Sequence, residues 1–175
     1  MNSSVVNELG MTRALRRISH EIIEKNESDE NICIIGIKSR GVYLGKIITE
    51  NLTSLGAKVE FGILDSTPYR DDIDLTQKQS GVNDTKINFD VTGKIVVLVD
   101  DVIFTGRTAR AALEAVLDLG RPSKIQLAVL VDRGHRELPI RPDFIGKNIP
   151  TSKTEQVKVN IAPFDEKTEV EIIKL

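Results

Sequence analysis

Cysteine is almost missing from this chain of 175 residues: the single one, Cys33, sits inside the apolar run ICIIGI. No disulfide framework can form within one chain, which fits a reducing compartment, and the expected role of Cys33 is a buried core thiol. Excess charge is missing too. The chain has 24 Lys and Arg against 26 Asp and Glu, a formal net charge of −2. No global basic field advertises a nucleic acid, so any such contact has to come from a local patch. No apolar run is long enough to cross a bilayer and no signal-peptide pattern opens the chain, so we expect a cytoplasmic protein with no membrane partner. Internal repeats and low-complexity tracts are absent as well.

What is present is 40% hydrophobic and 29% charged residues. That fits one globular domain over residues 1–175 with room for one core. Residues 8–27 have helical periodicity, with Met11, Ala14, Leu15, Ile18 and Ile22 as the apolar stripe. ICIIGI (32–37), KVEFGIL (58–64), KIVVLV (94–99) and IQLAVLV (125–131) read as strands. Helical stretches over about 42–55 and about 107–119 separate them, the second closed by Gly120 and Pro122. Apolar strands alternating with helices predict an α/β fold, a central parallel sheet flanked by helices on both faces. EQVKVNI and TEVEIIKL alternate apolar and polar residues and predict a β-hairpin solvated on one side. Between Asp65 and Asp90 the chain is polar. A flexible lid over about 66–89 is expected there, with plain surface disorder as the alternative.

Ligands of open parallel sheets bind beyond the carboxyl ends of the strands, where strand order reverses. Two stretches are suited to that place. In IVVLVDDVIFTGRTARAA (95–112) a buried strand ends in two adjacent carboxylates, Asp100 and Asp101, followed by Val102, Ile103, Phe104, Thr105, Gly106, Arg107 and Thr108. Thr105 to Thr108 lie at a predicted helix N-terminus, where free N–H groups and two hydroxyls can cradle a phosphate, although an ordinary helix cap has the same look. Two neighbouring buried acids raise each other's pKa unless something satisfies them. A sugar diol supplies donors to both, and a nearby divalent cation compensates their charge. Acids and cradle together describe a ribose 5-phosphate site. The second stretch, GIKSRG (36–41), places Lys38 and Arg40 around Ser39 before Gly41. It suits a second anion, such as a diphosphate leaving group, though alone it is an unremarkable turn.

VVLVDDVIFTGRT resembles the phosphoribosyl-diphosphate signature of type I phosphoribosyltransferases. RISHEIIE, GIKSRGVYL, YRDD and GRPSKIQLAVLVDRGHRELPIRPDFIGKNIPTSK are similar to one family in particular: pyrimidine-operon attenuation regulators that are also uracil phosphoribosyltransferases. The resemblance runs from residue 11 to about 153. It implies the type I phosphoribosyltransferase fold with a small C-terminal hood and hairpin over about 141–175, and transfer of phosphoribosyl from the diphosphate to uracil, giving UMP. It implies Asp100 and Asp101 on the ribose hydroxyls, residues 104–108 on the 5-phosphate, and Lys38, Ser39, Arg40 and a lid-borne Arg70 on the leaving diphosphate. Mg²⁺ is expected with the diphosphate, with no protein ligand of its own. The family often has a strained peptide bond in the first loop. Phe144 and Ile145 are expected on or near the base, or else in ordinary core packing.

RPDFIGKNIP also resembles the base-covering hood of purine salvage enzymes. Against purine transfer stand Phe104, where those enzymes carry an acid, and Asp132, where they carry a lysine. A second feature needs no sugar chemistry. Arg13, Arg16, Arg17 and His20 recur at helical spacing, and His135, Arg136, Arg141 and Lys147 form a second basic cluster beside Arg133. Spacing alone suggests a solvated basic face. The resemblance implies instead that these residues bind the leader mRNA of a pyrimidine operon when UMP or UTP is plentiful. A homodimer or higher homo-oligomer would enlarge that surface.

Overall fold

The computed structural model describes residues 2–27, 31–74, 76 and 83–175. The centre of the predicted lid, residues 75 and 77–82, lies outside the described residues.

The alternation of each strand decides what it packs against. The main sheet is parallel and has the order β3-β2-β4-β5-β6, built from β2 (Ile32–Ile37), β3 (Glu60–Leu64), β4 (Ile95–Ile103), β5 (Lys124–Asp132) and β6 (Phe144–Asn148). Ile32, Ile34, Ile95, Val97 and Val99 face one way. They meet Met11, Leu15, Ile18 and Ile22 of α1 (Glu8–Lys25) and Leu44, Ile48 and Leu52 of α2 (Arg40–Ser54). Cys33, Ile35, Ile37, Val96 and Leu98 face the other way, onto Ala109, Ala112, Ala115 and Val116 of α3 (Arg107–Leu119). Ile34 and Ile35 are fully enclosed. Truncating such a side chain to alanine costs about 2–5 kcal/mol. Burial pushes the Cys33 thiol up to about 12, so it is an inert core group, as expected.

The helix limits have local causes. The Asn7 carboxamide accepts the Gly10 N–H at 2.9 Å and caps α1. The cap region of α3 uses Gly106 at φ 93°, a left-handed conformation that strains other residues. At Gly41 the demand is space: a Cβ there would lie 2.4 Å from the Val99 carbonyl, so glycine lets α2 start hard against β4.

Three features differ from the expectation. First, β4 continues through both aspartates to Ile103, because its ladder with β5 runs on from Asp100↔Val129 to Ile103↔Asp132. Second, the expected hood contributes β6 to the main sheet, paired with β5 from Ala128↔Phe144 to Asp132↔Asn148. Third, the tail hairpin, β7 (Glu155–Asn160) with β8 (Glu169–Lys174), gains a strand from the other end of the chain: β1 (Asn2–Asn7) pairs with β8. Val6, Val157, Val159 and Val170 turn inward from this small sheet onto the α1 side of the core.

Candidate active site and basic face

Strand order reverses between β2 and β4, and both candidate loops leave the sheet there. The second loop is assembled as a site. Asp100, Val102 to Ala109 and Arg70 line one cavity of about 250 Å³. The Asp100 carboxylate accepts the Asp101 N–H at 2.9 Å, and Asp101 accepts the Val102 N–H at 2.8 Å. Asp100 keeps some exposed area, but its carboxyl lies within the protein. Burial pushes its pKa well above the usual carboxylate range, the charge of Asp101 adds to the rise, and Arg70 opposes it. Thr105 Oγ1 accepts the Arg107 N–H at 3.3 Å at the start of α3. Residues 107–109 of the first turn of that helix line the cavity, and first-turn N–H groups have no partner within a helix.

Arg70 reaches the cavity from a short 3₁₀ turn, Thr67–Tyr69, at the near foot of the expected lid. That foot is fastened to α3: the Tyr69 hydroxyl donates to Asp118 at 2.7 Å, and Arg110 donates to the Tyr69 carbonyl at 3.1 Å. Arg70 Nε donates to Asp72 at 2.7 Å, and this hydrogen bond, with the charge of Asp72, holds the guanidinium pKa above its ordinary value. Arg107 pairs with Asp71 at 3.0 Å and with Glu137 at 3.1 Å.

The first loop is assembled only in part. The Lys38–Ser39 peptide is cis. Lys38 and Ser39 are exposed at the crevice, and the Lys38 ammonium is paired with Asp84. Arg40 is partly buried at the start of α2. Its guanidinium makes two bonds to Asp165, at 3.1 and 2.9 Å, and lies 5.2 Å over the Phe164 ring, so it pins the β7–β8 turn to α2. That pair holds the Asp165 pKa below the usual range. Gly41 serves the packing of α2 on β4 described above. Arg40 is expected at a leaving diphosphate; here an acid in the tail, invisible to the spacing of the loop, holds its guanidinium.

For Phe144 the structure shows the second alternative, core packing. It is 2% exposed and packs in the core on the α1 side, where Lys25 stands 5.7 Å over its ring. Ile145, its neighbour on the pleat, faces the α3 side. Neither lines the cavity. The aromatic residue at the crevice is Phe104, partly exposed, with the buried Arg133 guanidinium 3.9 Å over its ring and His135 edge-on at 5.8 Å.

The two basic clusters differ. Arg13, Arg16 and His20 are exposed on α1 and make no hydrogen bond or ion pair among the described residues. Arg17 is exposed as well; it donates to the Ile145 and Gly146 carbonyls at 3.2 and 2.6 Å and to Glu21 at 2.7 Å, which ties the helix face to β6. Lys147, the next residue of β6, is exposed beside it, and so is Arg141. His135 and Arg136 are instead half-buried in the loop after β5. His135 contacts the Thr151 carbonyl through its ring nitrogen. Arg136 spends three of its five N–H donors within the protein: on the Ile140 carbonyl at 2.8 Å, the Phe104 carbonyl at 3.1 Å and Asp132 at 2.6 Å. Arg13, Arg16 and His20 on α1 thus leave their side chains without a protein partner among the described residues, while Arg136 braces the loop to the cavity.

The sequence analysis missed Asp71, Asp72 and Asp84, the acids that meet these cations. The only signal was YRDD, an arginine followed by two acids in a polar insert. Among the described residues no three His, Cys, Asp or Glu side chains come together as a metal-binding group, and no helix is long and apolar enough to cross a membrane.

Comparison with known proteins agrees with this architecture. The family described as phosphoribosyl transferase domain matches residues 1–165. A bifunctional protein PyrR from Caldicellulosiruptor bescii is 58% identical, over 94% of this chain and 91% of that protein. The pyrimidine operon regulatory protein of Lactococcus lactis is 52% identical, over 92% and 91% of the two chains. Among solved structures, a Trypanosoma cruzi hypoxanthine phosphoribosyl transferase superposes with a TM-score of 0.77 over 98% of this chain and 91% of that one. At 15% identity it shares the fold alone. The chain is a type I phosphoribosyltransferase and belongs to the PyrR family.

Proposed function

We propose that the protein is bifunctional: it transfers phosphoribosyl from 5-phosphoribosyl diphosphate to uracil, giving UMP and diphosphate, and it binds pyrimidine-operon leader mRNA in a uridine-nucleotide-dependent way that promotes transcription attenuation. The observation that carries the reading is one cavity lined by Asp100, a glycine-opened helix N-terminus and Arg70, with Asp101 next to Asp100 on β4.

In the reaction the bond from ribose C1 to the diphosphate oxygen breaks, a bond from C1 to uracil N1 forms, and the base gives up its N1 proton. Asp100 and Asp101 accept the ribose hydroxyls. The N–H groups and hydroxyls of residues 105–108 hold the 5-phosphate. Arg70, Lys38 and Ser39 face the leaving diphosphate; Arg40 does not. The residues' task is positioning and charge stabilisation rather than covalent chemistry. Mg²⁺ fits a site whose acid pair lacks a full complement of positive charge, and bound with the diphosphate it would supply that charge. Phe104 in place of an acid, and an Asp132 whose pKa is held down by Arg136 and the Gly134 N–H against the opposing effect of burial, favour a pyrimidine over a purine. RNA binding rests on the exposed face of Arg13, Arg16, Arg17, His20, Arg141 and Lys147, with the spare donors of Arg136 and His135 at its margin. A cytoplasmic location and assembly into a homodimer or higher oligomer complete the proposal.

The test is a steady-state assay with uracil or hypoxanthine as acceptor, alongside filter binding of a leader hairpin. Turnover of uracil but not hypoxanthine, with RNA binding strengthened by UMP, is the expected outcome. Preference for hypoxanthine, or no RNA binding, would overturn the respective half.

A further inference from the structure

The cations that face the diphosphate are already occupied. Lys38 is paired with Asp84 and Arg70 with Asp72. Both acids come from the feet of the polar segment between β3 and β4. The Asp84 contact differs from an ordinary surface ion pair because its backbone is fixed without it. Lys86 and Ile63 exchange two backbone hydrogen bonds, at 2.9 and 2.8 Å, which attaches this segment to the edge of β3. Thr85 Oγ1 accepts the Asp65 N–H at 3.0 Å, and the Asp84 N–H reaches the Asp65 carboxylate at 3.4 Å. The Lys38 N–H donates to the Leu64 carbonyl at 2.9 Å, so the first loop rests on the same strand end. Two parts of one frame therefore present a carboxylate to an ammonium. Their side chains are 48% and 40% exposed, so solvent screens the pair and its worth to the fold is small. What the frame does achieve is to hold an anion where the reaction needs one.

We propose that Asp84 is an intramolecular stand-in for the diphosphate: it neutralises Lys38 when the site is empty, and phosphoribosyl diphosphate must displace it to bind. This inference rests on the phosphoribosyl-transfer reading above and adds to it a residue that sets diphosphate affinity without touching substrate. Asp84 is a positioning residue, acting through Lys38. Its pKa is held below the ordinary range by Lys38, so it stays charged throughout the neutral range and competes there at full strength. A ligand shifts such an exchange only by its differential affinity for the two states, so the cost of displacing Asp84 appears in the affinity for diphosphate-bearing ligands and not in that for UMP, which has no diphosphate.

The experiment compares the full chain with Asp84→Asn and Asp84→Ser, and with Asp84→Glu, which keeps the charge. The measurements are KM for phosphoribosyl diphosphate, calorimetric binding of inorganic diphosphate with Mg²⁺, and UMP affinity. The neutral variants should bind diphosphate and its ribose ester about two- to fivefold more tightly, the range an exposed ion pair supports. UMP affinity should stay at the parental value, and Asp84→Glu should restore parental diphosphate binding. A purely structural role would shift all ligands together. Unchanged diphosphate affinity in both neutral variants, or a parallel change in UMP, overturns the proposal while leaving the transferase reading intact. A parent that fails to bind diphosphate at all overturns both.

Discussion

The crevice and the α1 surface both carry several charged side chains, yet the protein treats them in different ways. In the crevice the cations have acid counterparts, Arg70 against Asp72, Lys38 against Asp84, and Arg107 against Asp71 and Glu137, while Asp100 lies against its like-charged neighbour Asp101 with Arg70 opposing the repulsion. On α1, Arg13, Arg16 and His20 have none among the described residues. A site that receives a small ligand of fixed shape is pre-arranged, and here its cations are kept in place by acids. A surface that receives a long flexible polyanion needs no such internal partners, because the phosphates themselves supply them and counterion release supplies affinity. The comparison teaches that the crevice cations are held by acids of the same chain whereas, among the described residues, Arg13, Arg16 and His20 are not, which is the state the RNA reading proposed above requires.

The sharpest way to break the comparison is to remove one crevice charge. Asp101→Asn should lower kcat/KM for uracil transfer by about 10- to 150-fold, the equivalent of one charge-assisted hydrogen bond of roughly 1.5–3 kcal/mol. RNA binding in the absence of nucleotide should be unaffected. Steady-state kinetics beside filter binding give both numbers; full turnover would remove the ribose assignment.

The empty crevice should also reveal its cost through pH. The Asp100 pKa is raised in the folded state, so its proton is held more tightly there than in the unfolded chain. The associated stability is fully present below the unfolded carboxylate range and is lost as pH rises through the raised folded value. Asp100→Asn should therefore melt above the parent at pH 7, and the gap should close as the pH falls to the ordinary carboxylate range. Melts across pH 4–8 decide, and a variant that melts lower at pH 7 contradicts the argument. Packing offers a third test. Gly41→Ala places a Cβ 2.4 Å from the Val99 carbonyl and should cost about 1–3 kcal/mol of stability, read as a lower urea midpoint.

Smaller effects belong to the basic face. Arg17→Gln and Lys147→Gln should each weaken leader-RNA binding and reduce the slope of log K against log salt by about 0.7 for single-stranded contacts, with uracil transfer intact. The smallest effect is expected at Arg40: since Asp165 holds it, Arg40→Gln should change KM for phosphoribosyl diphosphate by less than about twofold, a surface-pair magnitude, far less than Lys38→Gln. Equal losses at the two positions would return Arg40 to the crevice.

Much of this architecture was legible because it follows from local rules. Apolar runs separated by helical periods specified the parallel sheet, and the limits of α3 were readable from Gly106 before it and Gly120 after it. The acids at 100 and 101 and the T-G-R-T turn stood out because like charges at the end of a buried strand need an explanation. What escaped had distant causes. The chain start pairs with the chain end as β1 and β8, across more than 160 residues, and six mostly polar residues give no sign of it. Phe144 could be read either as a residue near the base or as core, and only the register with β5 decides for the core. Arg40 looked like a free cation in sequence, and only the fold brings Asp165 to it, 125 residues away.

The most direct test of the central claim, that one small domain joins a nucleotide site to an RNA surface, is a calorimetric titration of a defined pyrimidine-leader hairpin into the protein with and without saturating UMP, repeated in the reverse order with UMP as titrant. The account predicts that UMP tightens RNA binding and that RNA tightens UMP binding by the same factor, as linkage requires. RNA binding of equal strength with and without UMP would contradict it.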